Sequence, residues 1–399
     1  MTVLTTSAGE LALRATPRVA GFKVELLSDW TQAAVRWGSF DPATAFQHPQ
    51  WIASWYRAFA ATAGVDPLIA VITDAVSGER AALLPLIRRR QGYVRIVEFA
   101  DLELTDYNAP LLGPAAPRDA AAAQRLWRAL RSALRSEGDF IRLRKMPAVL
   151  DGRPNPLALL DGVAACPVNG NPVFTGDDYD AWRYTLEKTV RKELERSWRV
   201  FARDPSAAFR IAANADEALK ILAATERQQG SRMQGLGVDF FLNDENSAAF
   251  YHDLVREGVG SGYVLVTALT AGPEIVATLL GIRTGPRYVM IRISNAGDKW
   301  SNCSPGRLII ERTMAALHRD GVREFDFSVG NYAYKRRFGP TKMPLVDLGA
   351  SLGWRGLPHA LRDRAVLALR RYPNLTARLK QALGKSKPFA RRGLNGPDP

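Results

Sequence analysis

"GYVLVTALTAGPEIVATLLGIRTGPRYVMIRISN", residues 262–295, decides the fold. Its apolar, β-branched runs break at Gly272-Pro273 and Gly285-Pro286. Both pairs are turn chemistry, so the stretch predicts three strands in a meander. "PGRLIIERTMAALHRDG" (305–321) follows as a helix, with Leu308, Ile309, Met314 and Leu317 near one face, and "REFDF" (323–327) reads as a buried strand. A meander joined through a helix to a further strand makes a mixed sheet with helices packed on it.

The same succession stands roughly 200 residues earlier, which marks an internal structural duplication even though identity between the halves is slight. "PLIAVITDAVSGERAALLPLIRRRQGYVRIVEFA" (67–100) predicts three strands, "RDAAAAQRLWRALRSALRSEG" (118–138) a helix and "DFIRLRKM" (139–146) a strand. Each half opens on helices: 47–64 in the first, 178–204 and 214–230 in the second. The linker is placed around "DGRPNPLALLDG" (151–162). The expected class is α+β with two similar domains, 20–150 and 165–345, and a tail, 357–399.

Composition agrees with a folded, soluble chain: 47% of the 399 residues are hydrophobic and 24% charged. No apolar run reaches the roughly 20 residues that span a bilayer. The N-terminus has no basic segment ahead of a long apolar core, so no signal peptide is expected. With Cys166 and Cys303 the only cysteines, a reducing compartment is expected, and the cytoplasm is the default. His48, His252, His318 and His359 are scattered, none at ligand spacing, so no metal is expected.

The net charge of +14 is uneven. Residues 357–399 hold ten Lys/Arg against Asp363 and Asp398, leaving the body only mildly basic. Leu361, Ala365 and Leu369, then Leu375, Leu379 and Leu383, recur every four residues on either side of Pro373. Three readings of this tail stay open: helices docked on the body by their leucines, an amphipathic anchor on an anionic membrane surface through 357–393, or attraction to nucleic acid.

Two glycine motifs carry no nucleotide chemistry. "GVGSG" (258–262) precedes a strand instead of following one, and "GKS" (384–386) lacks the leading glycine and strand of a P-loop. The junction "SNCSPGRLII" (301–310) is richer. Ser304 stands at an N-cap, Pro305 at the first helical position, Gly306 leaves the first turn bare and Arg307 adds a cation. A helix start of this kind suits a phosphate, though it also serves simply to begin a helix. The strand exit "FDFSVGNYAYKRRFG" (325–339) concentrates Asp326, Gly330, Asn331, Tyr332, Tyr334 and Lys335. Ligands bind beyond strand ends in such sheets, and tyrosine and lysine can donate a proton and stabilise an anion. A basic, aromatic loop packed on the core is the alternative.

These segments, with "FQHPQWIASWYRAF" (46–59), "ALLPLIRRR" (82–90), "LTDYNAPLLGP" (104–114) and "SPGRLIIE" (304–311), resemble the CelD-type proteins with a BioF2-like acetyltransferase domain. That family is similar in fold to the GCN5-related N-acetyltransferases (GNAT) and the FemAB peptidyltransferases, and the likeness covers roughly residues 20–345. It implies two tandem GNAT-like domains, each a mixed, mostly antiparallel sheet flanked by helices, with an acyl donor bound chiefly by the second. Carried over by position, Ser304, Pro305, Gly306 and Arg307 would take the donor's pyrophosphate, with Asn331 beside them, while Tyr334 and Lys335 would face the acyl group. Asp326 or Glu226 would accept the acceptor's proton.

The implied activity is acetyl-CoA-dependent transfer to an amine or hydroxyl acceptor in surface polysaccharide or envelope metabolism. One departure matters. GNAT enzymes usually cradle pyrophosphate on a Gln/Arg-x-x-Gly-x-Gly/Ala loop, and only Gly306 of that pattern is present. FemAB-like proteins, which use aminoacyl-tRNA, show similarly eroded loops, so FemAB-like aminoacyl transfer stays open. A catalytically silent scaffold apposed to a membrane is the third reading. "TDYNAP" (105–110) is the one polar-aromatic cluster of the first domain and is expected to hold the acceptor or to prop up the second domain.

Overall fold

The computed structural model describes residues 21–237, 240 and 244–370. The first half runs β1 (Phe22–Leu27), α1 (Trp30–Trp37), α2 (Pro49–Phe59), β2 (Val65–Pro67), β3 (Ile69–Asp74), β4 (Arg80–Leu84), β5 (Leu86–Gln91), β6 (Val94–Phe99), β7 (Leu111–Leu112), α3 (Ala120–Leu134) and β8 (Phe140–Pro147). Short strands β9 (Val149–Leu150) and β10 (Arg153–Pro154) lead to β11 (Ala164–Gly170). The second half runs β12 (Pro172–Phe174), α4 (Tyr179–Thr185), α5 (Lys188–Phe201), β13 (Ala207–Ile211), α6 (Ala215–Gly235), α7 (Glu245–Gly258), β14 (Val264–Ala271), β15 (Glu274–Thr284), β16 (Arg287–Asn295), α8 (Pro305–Arg319) and β17 (Glu324–Asp326). Then come α9 (Ala333–Arg336), β18 (Met343–Ser351) and α10 (Leu357–Arg370).

The 262–295 meander forms as its turns dictate. Ala271 pairs with Glu274 and Thr284 with Arg287, which leaves two-residue loops. Gly272 and Gly285 take φ of 57° and 54° in them, where a Cβ would be strained. These strands sit in a six-stranded sheet ordered β12-β17-β16-β15-β14-β13. A second six-stranded sheet is ordered β11-β18-β8-β6-β5-β2, and a four-stranded sheet β1-β3-β4-β7 lies beside it. The duplication is visible in the pairing. In each half the last meander strand lies parallel to the strand after the long helix, β6 with β8 and β16 with β17. The whole is a GNAT-like α+β fold of mixed sheets flanked by helices.

Two expectations are corrected. Residues 67–100 form four strands, because Pro85 has no N–H to continue a ladder and the chain passes there from the four-stranded to the six-stranded sheet. Residues 178–204 form two helices, because Leu186 turns extended and buries its side chain against the second-half core.

The halves share a core. Helix α2 packs on α7, with Trp51 and Phe250 edge to face at 5.0 Å and His48 stacked on Tyr263 at 3.9 Å. After the second half, β18 returns to pair antiparallel with β8. Gly356 then lets α10 start against β8, since a Cβ there would meet the Asp139 carbonyl. The helix docks through His359, close to Phe140, and Asp363, against Gly349. Leu361, which the four-residue spacing places on a docking stripe, therefore faces out. The remainder of the predicted tail pattern, from Pro373 through Leu383, and the 384–386 motif lie outside the described residues.

Candidate active site

Strands β16 and β17 pair for only three residues, ending at Val289 with Asp326. There β17 stops while β16 runs on to Asn295, so the sheet opens in a split beyond Asp326. Asp326 is buried at its base. The backbone N–H of Ser328 donates to its Oδ1 at 2.6 Å, and the Tyr107 hydroxyl donates to the same oxygen at 3.0 Å. Among the described residues, no hydrogen bond reaches Oδ2. Burial pushes the Asp326 carboxyl up to about 6, against the pull of these two donors.

The turn after β17 is unusual. Ser328, a non-glycine, has φ of 64°, and Gly330 follows at 101°. The Asn171 side chain holds this turn by donating to the carbonyls of Ser328 and Gly330 at 2.7 and 2.9 Å. Helix α9 then brings Lys335 back beneath it. Its Nζ donates to the Val329 carbonyl at 2.7 Å and lies 5.0 Å from the Tyr332 ring centroid. Burial pulls the Lys335 ammonium down to about 8, although Asp106 and Asp326 oppose it. Tyr334, also buried, stacks on Tyr332 at 5.9 Å and meets Phe327 edge-on.

The first half supplies the opposite wall. Besides Tyr107, it contributes Asp106, which accepts from the Ser328 hydroxyl and is raised by burial. The loop carrying both is pinned by Lys145, whose Nζ donates to the Thr105 carbonyl at 2.6 Å and pairs with Asp101 at 2.8 Å. Burial opposes the Lys145 charge, but Asp101, Glu103 and Asp106 outweigh it and hold the ammonium above its ordinary range. Leu102, Glu103 and Lys145 all have positive φ, an uncommon concentration of backbone strain beside a polar site. Sequence reasoning assigned no role to Lys145, and reached Asp106 and Tyr107 only as members of a cluster. Its one pointer was the "TDYNAP" cluster.

The other predicted residues spread out. Glu226, on α6, pairs with the buried Arg292 of β16 at 3.6 Å. Arg292 in turn lies over Tyr251 at 4.6 Å and donates to Gln229. Among the described residues, no contact joins Glu226 to Asp326 or Lys335. At the start of α8, Ser304 holds the N-cap position but does not cap the helix with its side chain. Its backbone is left-handed, φ 46°, and its hydroxyl accepts from Arg307 at 2.8 Å instead. Arg307 also pairs with Glu193 at 2.7 Å, and Arg337 reaches the same carboxylate at 2.6 Å. Pro305 and Gly306 are buried in the first turn, and Asn331 is exposed.

A split between parallel strands, ahead of a strand–helix–strand unit in a tandem repeat, defines a GNAT-like fold. Residues 188–336 match the family model described as Acetyltransferase (GNAT) domain, a span that takes in α5, the α8 start, Asp326, Tyr334 and Lys335. Among solved structures the chain is similar to the C-terminal domain of a protein assigned as a lysylphosphatidylglycerol synthetase from Agrobacterium fabrum. That pair is 15% identical with a TM-score of 0.51, covering 85% of this chain and 98% of that one. It is similar also to FemX, at 10% identity and a TM-score of 0.53, covering 81% and 96%. No curated protein matches it in sequence. The family match thus falls within the second half, and the similar solved structures share the fold of the whole.

Proposed function

We propose that this chain transfers an acyl group, most simply acetyl from acetyl-CoA, to an amine or hydroxyl acceptor at the split beyond Asp326. The observation that carries the reading is the placing of a buried carboxyl, Asp326, and a buried amine, Lys335, at one strand exit, the first held by Tyr107 and Ser328 and the second donating to the Val329 carbonyl. The acceptor heteroatom attacks the donor carbonyl, and its proton passes to Oδ2 of Asp326, the oxygen left free by Tyr107 and Ser328. The Lys335 ammonium steadies the oxyanion as it forms. When the carbon–sulfur bond breaks, the Tyr334 hydroxyl protonates the departing thiolate. Ser304 to Arg307 at the start of α8 support the donor's phosphates, with Asn331 at the rim. Glu226 is a reserve base only if the acceptor reaches the Arg292 side. The resemblance to CelD-type proteins points to a glycan as acceptor.

Aminoacyl transfer from tRNA is the second reading, and one observation favours it. The α8 start is already engaged, since Arg307 bonds Ser304 and Glu193, leaving a poorer cradle for pyrophosphate than an open glycine loop. Titration with acetyl-CoA, coenzyme A and charged tRNA side by side decides between them. Saturable binding of acetyl-CoA with none of tRNA supports the first reading, the converse supports the second, and binding of neither removes both.

A further inference from the structure

One end of the six-stranded sheet of the first half is dressed in a way that its fold does not require. Strand β18 ends at Ser351, opposite Phe140 at the start of β8, and β6 begins beside β8. At this end Trp354 is 76% exposed, Leu357 52% and Leu361 63%. They recur at intervals of three and four residues, so they share the outward face of the chain entering α10. Among the described side chains, His359 lies against Phe140 and Asp363 against Gly349 on the inward side. Tyr93, at the tip of the β5–β6 hairpin on the same end, is 99% exposed. Single exposed apolar residues are ordinary, but Leu357 and Leu361 turned outward beside a bare tryptophan and tyrosine are not.

The fully exposed charges named on this face are cations. Arg90, Arg355 and Arg362 are exposed there, and the Arg355 guanidinium lies 5.3 Å from the Trp354 ring centroid. Of the acidic groups at this end, Asp139 is matched by Arg95 and Glu137 by Arg88, and Asp363 is half-buried and turned inward beside Gly349. In sequence, residues 357–399 hold ten Lys/Arg, Arg362 among them, against two Asp. Leucines and aromatic rings in a basic rim are what an interfacial surface needs: apolar groups to enter the acyl boundary and cations to meet phosphate headgroups. We infer that the face formed by Trp354, Leu357, Leu361 and Tyr93 docks on an anionic phospholipid surface. It sits on the first half, away from the split beyond Asp326, and does not depend on the chemistry assigned there.

The test is co-sedimentation of the full-length protein with phosphatidylcholine vesicles and with vesicles of phosphatidylcholine and phosphatidylglycerol. The expected result is binding to the mixed vesicles alone, weakened by salt. Leu357→Glu combined with Leu361→Glu should cut partitioning about tenfold or more, since it removes two leucines from the apolar boundary and adds two anions. Both sites are exposed, so the thermal midpoint should stay put and report that the variant is folded. Tyr184→Glu, another exposed aromatic in α4, should bind as wild type does. Equal binding to neutral vesicles, or binding that survives the double substitution, overturns the inference. So does failure to bind either vesicle, including the case where ultracentrifugation finds a dimer that the double substitution dissolves. The face then belongs to a second copy.

Discussion

Tyr107 and Asp326 stand 219 residues apart and share a buried hydrogen bond of 3.0 Å, with the phenol donating to Oδ1. The bond ties the loop of one half to the strand exit of the other. It also divides the labour within one carboxylate, since Oδ1 is fixed by Tyr107 and Ser328 while Oδ2 takes no bond among the described residues. A carboxylate held this way has one oxygen fixed at a cost in stability, because burial disfavours its charge.

That cost gives the first prediction. The folded-state pKa of Asp326, about 6, lies above the ordinary 3.8, so between those values the native state holds more protons than the unfolded one. Stability therefore falls as pH rises from about 4 to about 6. Asp326→Asn keeps an acceptor for Tyr107 and Ser328 and removes the charge. It should stabilise the protein by on the order of 2 kcal/mol above pH 6, give no gain below pH 4, and abolish transfer. Denaturant melts at both pH values check it. A variant less stable than wild type at neutral pH would contradict it.

At the strand exit the roles separate. Tyr334→Phe should lower turnover about 10²–10⁴-fold with donor affinity nearly intact, as loss of a general acid does. Lys335→Ala should lower turnover and remove the alkaline fall in rate that accompanies deprotonation near pH 8. Rate–pH profiles of the two variants check this, and full activity in both would remove the assignment while leaving the fold.

The donor site makes opposite predictions for two neighbours. Gly306→Asp puts an anion in the first turn of α8 and should eliminate the thermal shift caused by acetyl-CoA. That shift corresponds to about 2.7 kcal/mol at a hundredfold excess over Kd. Glu193→Gln releases Arg307 and Arg337 from a shared carboxylate and should tighten acetyl-CoA severalfold, with little change in intrinsic stability because these pairs are exposed. Calorimetric titration of both variants reads the two signs together.

Much of this was legible in local chemistry. Gly272-Pro273 and Gly285-Pro286 announce the meander, and the repeated meander–helix–strand order announces the duplication. Asp326, Tyr334 and Lys335 stand out because acid, rings and cations crowd one strand exit. What escaped the sequence is what only tertiary structure decides. Lys145 reads as a strand residue, and its role appears only once Asp101 and Thr105 close on it. The left-handed backbone at Leu102, Glu103 and Ser328 carries no glycine to signal it. The return of β18 to β8 is likewise silent, since an apolar strand does not name its partner. Pro85 could have been read, because a proline inside an apolar run argues against an unbroken strand.

The central claim is that both halves build one acyl-transfer centre around Asp326. The pH dependence of thiol release from acetyl-CoA, in wild type and Tyr107→Phe, tests it most directly. In wild type the rate should rise through a midpoint near 6, as the Asp326 carboxyl ionises, and fall as pH passes about 8. Losing the phenol's hydrogen bond destabilises the carboxylate, so the lower midpoint should move upward in Tyr107→Phe. Release no faster than in buffer, or a lower midpoint unmoved by the substitution, would contradict the claim.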